Sequence, residues 1–211
     1  MEMKLSSEPA AHWWIDTATG AAPLAVRALF ASYAELNPDA RESRDVMDTV
    51  GALMLDDTQT VPVATTPTTS TMVGSASAMS EIVPDPLFPM PLQSLGFQHD
   101  VSPWRSRLGG ISARKIDALC EPGVDARLFK IEPGASIPAH DHDGSEFTLV
   151  LSGGFADQSD EYHRGDMNCA RPGYVHRPRG LPGVPCVCFA VSIGGYRFKN
   201  PLMSFVAPWL K

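Results

Sequence analysis

Residues 134–154 read GASIPAHDHDGSEFTLVLSGG. His140 and His142 stand one residue apart, and Glu146 follows four residues after the second. On a strand, residues two apart face the same side, so both imidazoles point one way. Asp143-Gly144-Ser145 reads as a bend that swings Glu146 back toward them. The run that follows alternates Phe147, Leu149 and Leu151 with Thr148, Val150 and Ser152, the period of a strand. A fourth group lies far downstream, where His176 follows a Pro-Gly turn in GDMNCARPGYVHRP. Three neutral imidazoles and one carboxylate suit a divalent Zn, Mn, Fe or Ni ion and leave room for water or substrate. Asp141 is expected on the opposite strand face and Asp143 in the bend, so neither joins the ligand set.

The surrounding chain, residues 81–211, carries short β-type runs separated by Gly and Pro, among them DARLFKIEPG and VPCVCFAVSIGG. In the latter, Val187, Phe189, Val191 and Ile193 alternate with Cys186, Cys188, Ala190 and Ser192. Period two with regular turn signals indicates an antiparallel sandwich or barrel. Cys186 and Cys188 share a face that lines its interior, where burial as small hydrophobes outweighs a redox pair. His163, in SDEYHRGD, is expected exposed, and His99, in GFQHDVS, in a loop.

Residues 1–57 read differently. AAPLAVRALFASYAEL places Val26, Phe30 and Tyr33 on one helical stripe, with Leu29 and Leu36 beside it and Pro23 in the first turn. In NPDARESRDVMDTVGALMLDD, Asn37 can cap, Pro38 fits the first helical position and Asp39 favours the positive end of the dipole. Val46, Val50 and Leu53 repeat at helical spacing beside Met47 and Met54, which predicts a helical hairpin with one apolar side. Residues 58–80 contain no charged residue and are rich in Thr, Ser, Ala and Pro, the composition of a linker, with a short helix expected near 70–83. The fold class is therefore α+β in two domains, a small N-terminal helical domain and a C-terminal all-β barrel.

The formal charge is -7, and residues 1–57 hold ten acids against four bases. That balance argues against direct nucleic-acid binding, which needs a basic face. It suits a basic protein partner, and equally a solvated helical face. No apolar run approaches the ~20 residues of a membrane helix, and the N-terminus has no apolar signal-peptide core. A cytoplasmic protein with reduced Cys120, Cys169, Cys186 and Cys188 is expected.

The spacing is specific. Gly134, five residues, His140-x-His142, three residues, Glu146, six residues and Gly153 match the first motif of the cupin superfamily. In the second motif, Gly165 lies eleven residues before His176 and Gly173 three before it. Pro172 falls one residue later than usual, and Gly180 stands where an asparagine often follows. The resemblance implies a jelly-roll barrel with the metal inside. The helical acidic start, the polar linker and the segments PAHDHDGSEFTLVLSGGFAD, HRP and CVCFAV together resemble the ChrR-like cupin anti-sigma factors. That resemblance implies a helical domain that grips an extracytoplasmic-function sigma factor and blocks its promoter binding. It also implies a metal-binding barrel, with zinc foremost, that takes part in the response to singlet oxygen or organic peroxides, and it admits a homodimer.

The family usually carries an N-terminal zinc, held by an early histidine and a His-x3-Cys-x2-Cys run. Here Tyr33, Asn37 and Ala40 stand at those three positions, and only His12 could match the first. One histidine cannot hold a structural zinc. No N-terminal zinc is expected, and Tyr33 with Trp13 or Trp14 is expected to fill the space. An alternative use of the same ligands is an O2-dependent dioxygenase acting on a small organic substrate, with Glu146 doubling as acid or base. A third is a purely structural metal.

Overall fold

The computed structural model describes residues 9–56, 86–97, 104–106 and 109–198. Three helices come first: α1 (Ala11–Ala18), α2 (Leu24–Leu36) and α3 (Pro38–Asp56). Pro23 sits one residue outside α2, as its N-cap. Asn37 caps α3 as its sequence position predicts, its Oδ1 accepting from the backbone N–H of Asp39 at 3.0 Å and Ala40 at 3.2 Å. The linker and the short helix expected near 70–83 lie outside the described residues, as does His99.

Val26, Leu29, Phe30 and Tyr33 are buried along α2 as the periodicity requires. The second stripe does not follow. Ala40 and Met47 face the core, but Val46, Val50 and Leu53 are 49%, 46% and 68% exposed. The apolar side of α3 therefore faces solvent, because periodicity identifies an apolar face without saying what covers it.

Eleven short strands follow among the described residues. β1 (Arg105–Ser106), β2 (Ile111–Lys115), β3 (Val124–Ile131), β10 (Cys186–Ile193), β5 (Glu146–Ser152) and β8 (Met167–Ala170) form one sheet in that order. β11 (Tyr196–Phe198) pairs with β4 (His140–His142), and β7 (Glu161–His163), β6 (Gly154–Ala156) and β9 (Arg179–Gly180) make a third sheet. Every pairing is antiparallel. Helices followed by antiparallel sheets give the α+β architecture expected.

Alternation on β5 and β10 decides where the helices go. Val150, Cys186, Cys188 and Ala190 turn inward with Phe129 and Phe155. Phe147, Leu149, Leu151, Val187, Phe189 and Val191 turn outward, yet each is at most 7% exposed. A jelly roll standing alone would leave that large apolar face in water, and burying it is strongly favourable. Helix α2 covers it. Phe30 meets Phe147 edge-on at 5.3 Å between ring centroids, and Trp13 meets the same ring at 5.1 Å. One continuous core thus runs from Trp14 through Phe30 and Phe147 to Phe189.

Polar contacts pin the same joint. Asn37 Nδ2 donates to Gly165 O at 3.1 Å, just before β8. A short helix, α4 (Met90–Gln93), clips across the seam, with the Glu35 carboxylate accepting from Met90 N at 3.0 Å. Arg164 donates to the carbonyls of Pro86 and Leu87 at 3.1 and 3.2 Å. Phe147→Ala removes the ring at the centre of this joint. It is expected to destabilise the protein by about 3–5 kcal/mol, measured by denaturant unfolding.

Candidate metal centre

The chain brings the four groups singled out in the sequence to one point. His140 and His142 project from β4, and Glu146 opens β5 after the bend at Asp143-Gly144. That bend requires glycine. A Cβ on Gly144 would lie 2.2 Å from the carbonyl oxygen of Ile193. His176 arrives from the loop after Gly173 and is locked to His140 by reciprocal backbone hydrogen bonds of 3.0 and 3.1 Å. All four side chains are buried, and one ligand atom from each lies within 4.8 Å of the others. His176 Nε2 is 3.0 Å from both His140 Nε2 and His142 Nε2, and His142 Nε2 is 3.3 Å from Glu146 Oε2.

The outer nitrogens show what the inner ones carry. His140 Nδ1 donates to Pro138 O at 2.8 Å, so in the neutral ring its Nε2 holds a lone pair. His142 Nδ1 faces Ser192 Oγ at 3.4 Å. Three converging Nε2 atoms and a carboxylate, all withdrawn from water, form a donor set that a divalent cation fits. Thr148 Oγ1 donates to Glu146 Oε1 at 3.0 Å and fixes the carboxylate plane. Thr148 and Ser192 were legible by period two, since each shares its strand's inward face with a residue already assigned to the interior. Asp157, whose Oδ2 faces His176 Nδ1 at 3.8 Å, carried no such signal.

Burial lowers His140 to about 4, with His176 adding to the effect. Burial also lowers His142. Burial alone would raise Glu146, but His142, His176 and His140 together hold it below its ordinary value. His140 and His142 are thus neutral and the carboxylate ionised at pH 7, the protonation states that ligation demands.

A cavity of about 20 Å3 adjoins the cluster, walled by Phe129, Ile131, Ile137 and Phe155 and reached by Cys188. It has room for one water-sized molecule. Cys188 is pushed well above the ordinary thiol value by its hydrogen bond with Cys186 and by burial, so it is a thiol and not a thiolate. Asp141 is buried on β4, Asp143 is exposed in the bend, and His163 is exposed. The replacement at Gly180 has a packing cause. A Cβ there would lie 2.6 Å from Glu132 O.

At the helix junction Tyr33 stacks on Trp14 at 6.3 Å, and Trp14 meets Phe30 edge-on at 4.9 Å. His12 is exposed beside Trp13. Among the described residues, His140, His142, Glu146 and His176 form the one group of three or more ligand-type side chains.

Residues 93–193 match the ChrR cupin-like domain family. The chain resembles the ChrR-like cupin proteins. It is 29% identical over 201 residues to anti-sigma-E factor ChrR of Cereibacter sphaeroides, covering 92% of each chain. Among solved structures it resembles ChrR in the crystal structure of Rhodobacter sphaeroides SigE in complex with the anti-sigma ChrR. The TM-score is 0.71 at 26% identity, over 88% of this chain and 98% of that one. The likeness therefore spans the helices as well as the ChrR-like barrel.

Stability should follow pH through His140. Its folded value of about 4 lies below the unfolded 6.5, so between them the unfolded chain binds more protons. The contribution is complete above pH 6.5 and is lost as pH falls toward 4, on the order of 3 kcal/mol in all. Denaturant unfolding of chelator-stripped protein at stepped pH is expected to show that decline.

Proposed function

We propose that this protein is an anti-sigma factor. Its helices bind an extracytoplasmic-function sigma factor, and its barrel holds one divalent transition metal through His140, His142, Glu146 and His176. The observation that carries the proposal is the likeness to ChrR, solved in complex with SigE, over 88% of this chain, which takes in helices and barrel in one arrangement. The metal reports oxidative stress, singlet oxygen or organic peroxide, to the helices. Zinc suits the buried His3Glu set best. Four free cysteines, and no described helix long and apolar enough to cross a membrane, are compatible with work in the cytoplasm.

The site favours sensing over turnover. A space for one water-sized molecule is too small to enclose a bulky organic substrate. The route to the helices is short. Glu146 points into the cluster and the next residue, Phe147, points out against Phe30 and Trp13. A displaced Glu146 strand would disturb that packing within one residue.

The face offered to the sigma factor is the exposed stripe of α3. Beside it opens a groove of about 560 Å3, floored by Trp14, Tyr33 and Met47 and rimmed by Asp39 and Glu42. Apolar floor and acidic rim suit a basic amphipathic segment. Leu53→Asp should weaken sigma binding roughly tenfold or more and leave the melting temperature near wild type, since Leu53 is exposed. Co-purification with the sigma factors of the host tests the partner, and retention of none of them would sink it. Elemental analysis should find one zinc per chain. His142→Ala should lose that zinc, and oxidant should then no longer release the sigma factor.

A further inference from the structure

We propose that Asp157 is the residue that aims His176, by accepting from its Nδ1–H. The proposal rests on the metal centre above. His140 and His142 sit on a regular strand, and their outer nitrogens face Pro138 O and Ser192 Oγ. His176 comes from an irregular loop, and its Nδ1 is buried without a hydrogen-bond partner. A buried N–H left unsatisfied is costly. The carboxylate facing it is Asp157 Oδ2 at 3.8 Å, with that side chain wholly withdrawn from solvent.

Topology explains the approach. β6 pairs with β9 in the register Phe155 to Gly180 and Ala156 to Arg179. One further step puts Asp157 opposite Pro178, two residues past His176. The carboxylate is held in rotation there. Its Oδ1 accepts from Ser159 N at 2.8 Å and Asp160 N at 3.2 Å, and also from the Ser159 hydroxyl. Its Oδ2 accepts from Asn168 Nδ2 at 3.3 Å, which leaves that oxygen turned toward the imidazole. Burial would raise Asp157, but the nearby His176 and hydrogen bonds from Ser159 and Asp160 hold it below its ordinary value. An ionised carboxylate at Nδ1 fixes the tautomer that frees Nε2 and makes that nitrogen a stronger donor. Asp157 touches no ligand atom. It acts through His176 and is a positioning residue.

Asp157→Asn is the informative change, because its amide oxygen still accepts from Ser159 and Asp160 while the charge is gone. Ser159→Ala is the control, since it weakens the turn and leaves the Oδ2 side intact. Zinc affinity of the full chain is measured by competition with a chromophoric chelator. The His176 tautomer is read in metal-free protein from long-range 1H–15N spectra. Asp157→Asn should bind zinc about 10–100-fold more weakly and lose the single Nδ1–H tautomer, with metal-free melting close to wild type. Ser159→Ala should keep both affinity and tautomer. Wild-type affinity in Asp157→Asn, or an equal loss in Ser159→Ala, overturns the positioning role and leaves the metal centre standing. Failure of the wild type to bind zinc overturns the centre and this role together.

Discussion

Strand β5 is buried on both faces, and the structure depends on how each face is covered. Its inward side chains are Glu146, Thr148 and Val150, and its outward ones are Phe147, Leu149 and Leu151. Neither set tolerates water. The inward set closes around the polar cluster, and the outward set is closed by α1 and α2. The two units therefore share one core instead of meeting across a polar seam. Inter-domain contacts within a chain are often polar and loosely held. Here the aromatic rings at the joint make a rigid attachment the physical expectation.

What could be read from the sequence follows what spacing encodes. His140, His142, Glu146 and His176 were legible because strand period and turn glycines fix directions along a chain. The buried stripe of α2 and the Asn37 cap were legible for the same local reason. Val46, Val50 and Leu53 had an equally good period, yet they face solvent. Burial depends on a second surface, and a single segment says nothing of that surface. The outward face of β5 and β10 is the converse case, an apolar face whose cover lies more than a hundred residues away in the sequence. Asp157 was invisible because its approach to His176 is set by the register of two other strands.

The cluster is also withdrawn from bulk solvent. His140 and His142 are held neutral by burial, Glu146 is held ionised by the imidazoles around it, and the nearby Cys188 is held protonated. A thiol in that state reacts slowly with oxidants. Such a site is poised to change when something displaces a ligand, and it resists change from ordinary variation near neutral pH.

The helix junction has a consequence of its own. Residues 9–56 contain no cysteine, and the joint is made by Trp14, Phe30, Tyr33 and the two-ended amide of Asn37. Disulfide exchange finds no thiol there to act on. Asn37 precedes Pro38, whose nitrogen bears no hydrogen, so the backbone cannot close on the amide and convert it to aspartate. The amide that tethers Gly165 is thereby protected from chemical ageing. The junction therefore holds without a thiol, and its tethering amide is durable.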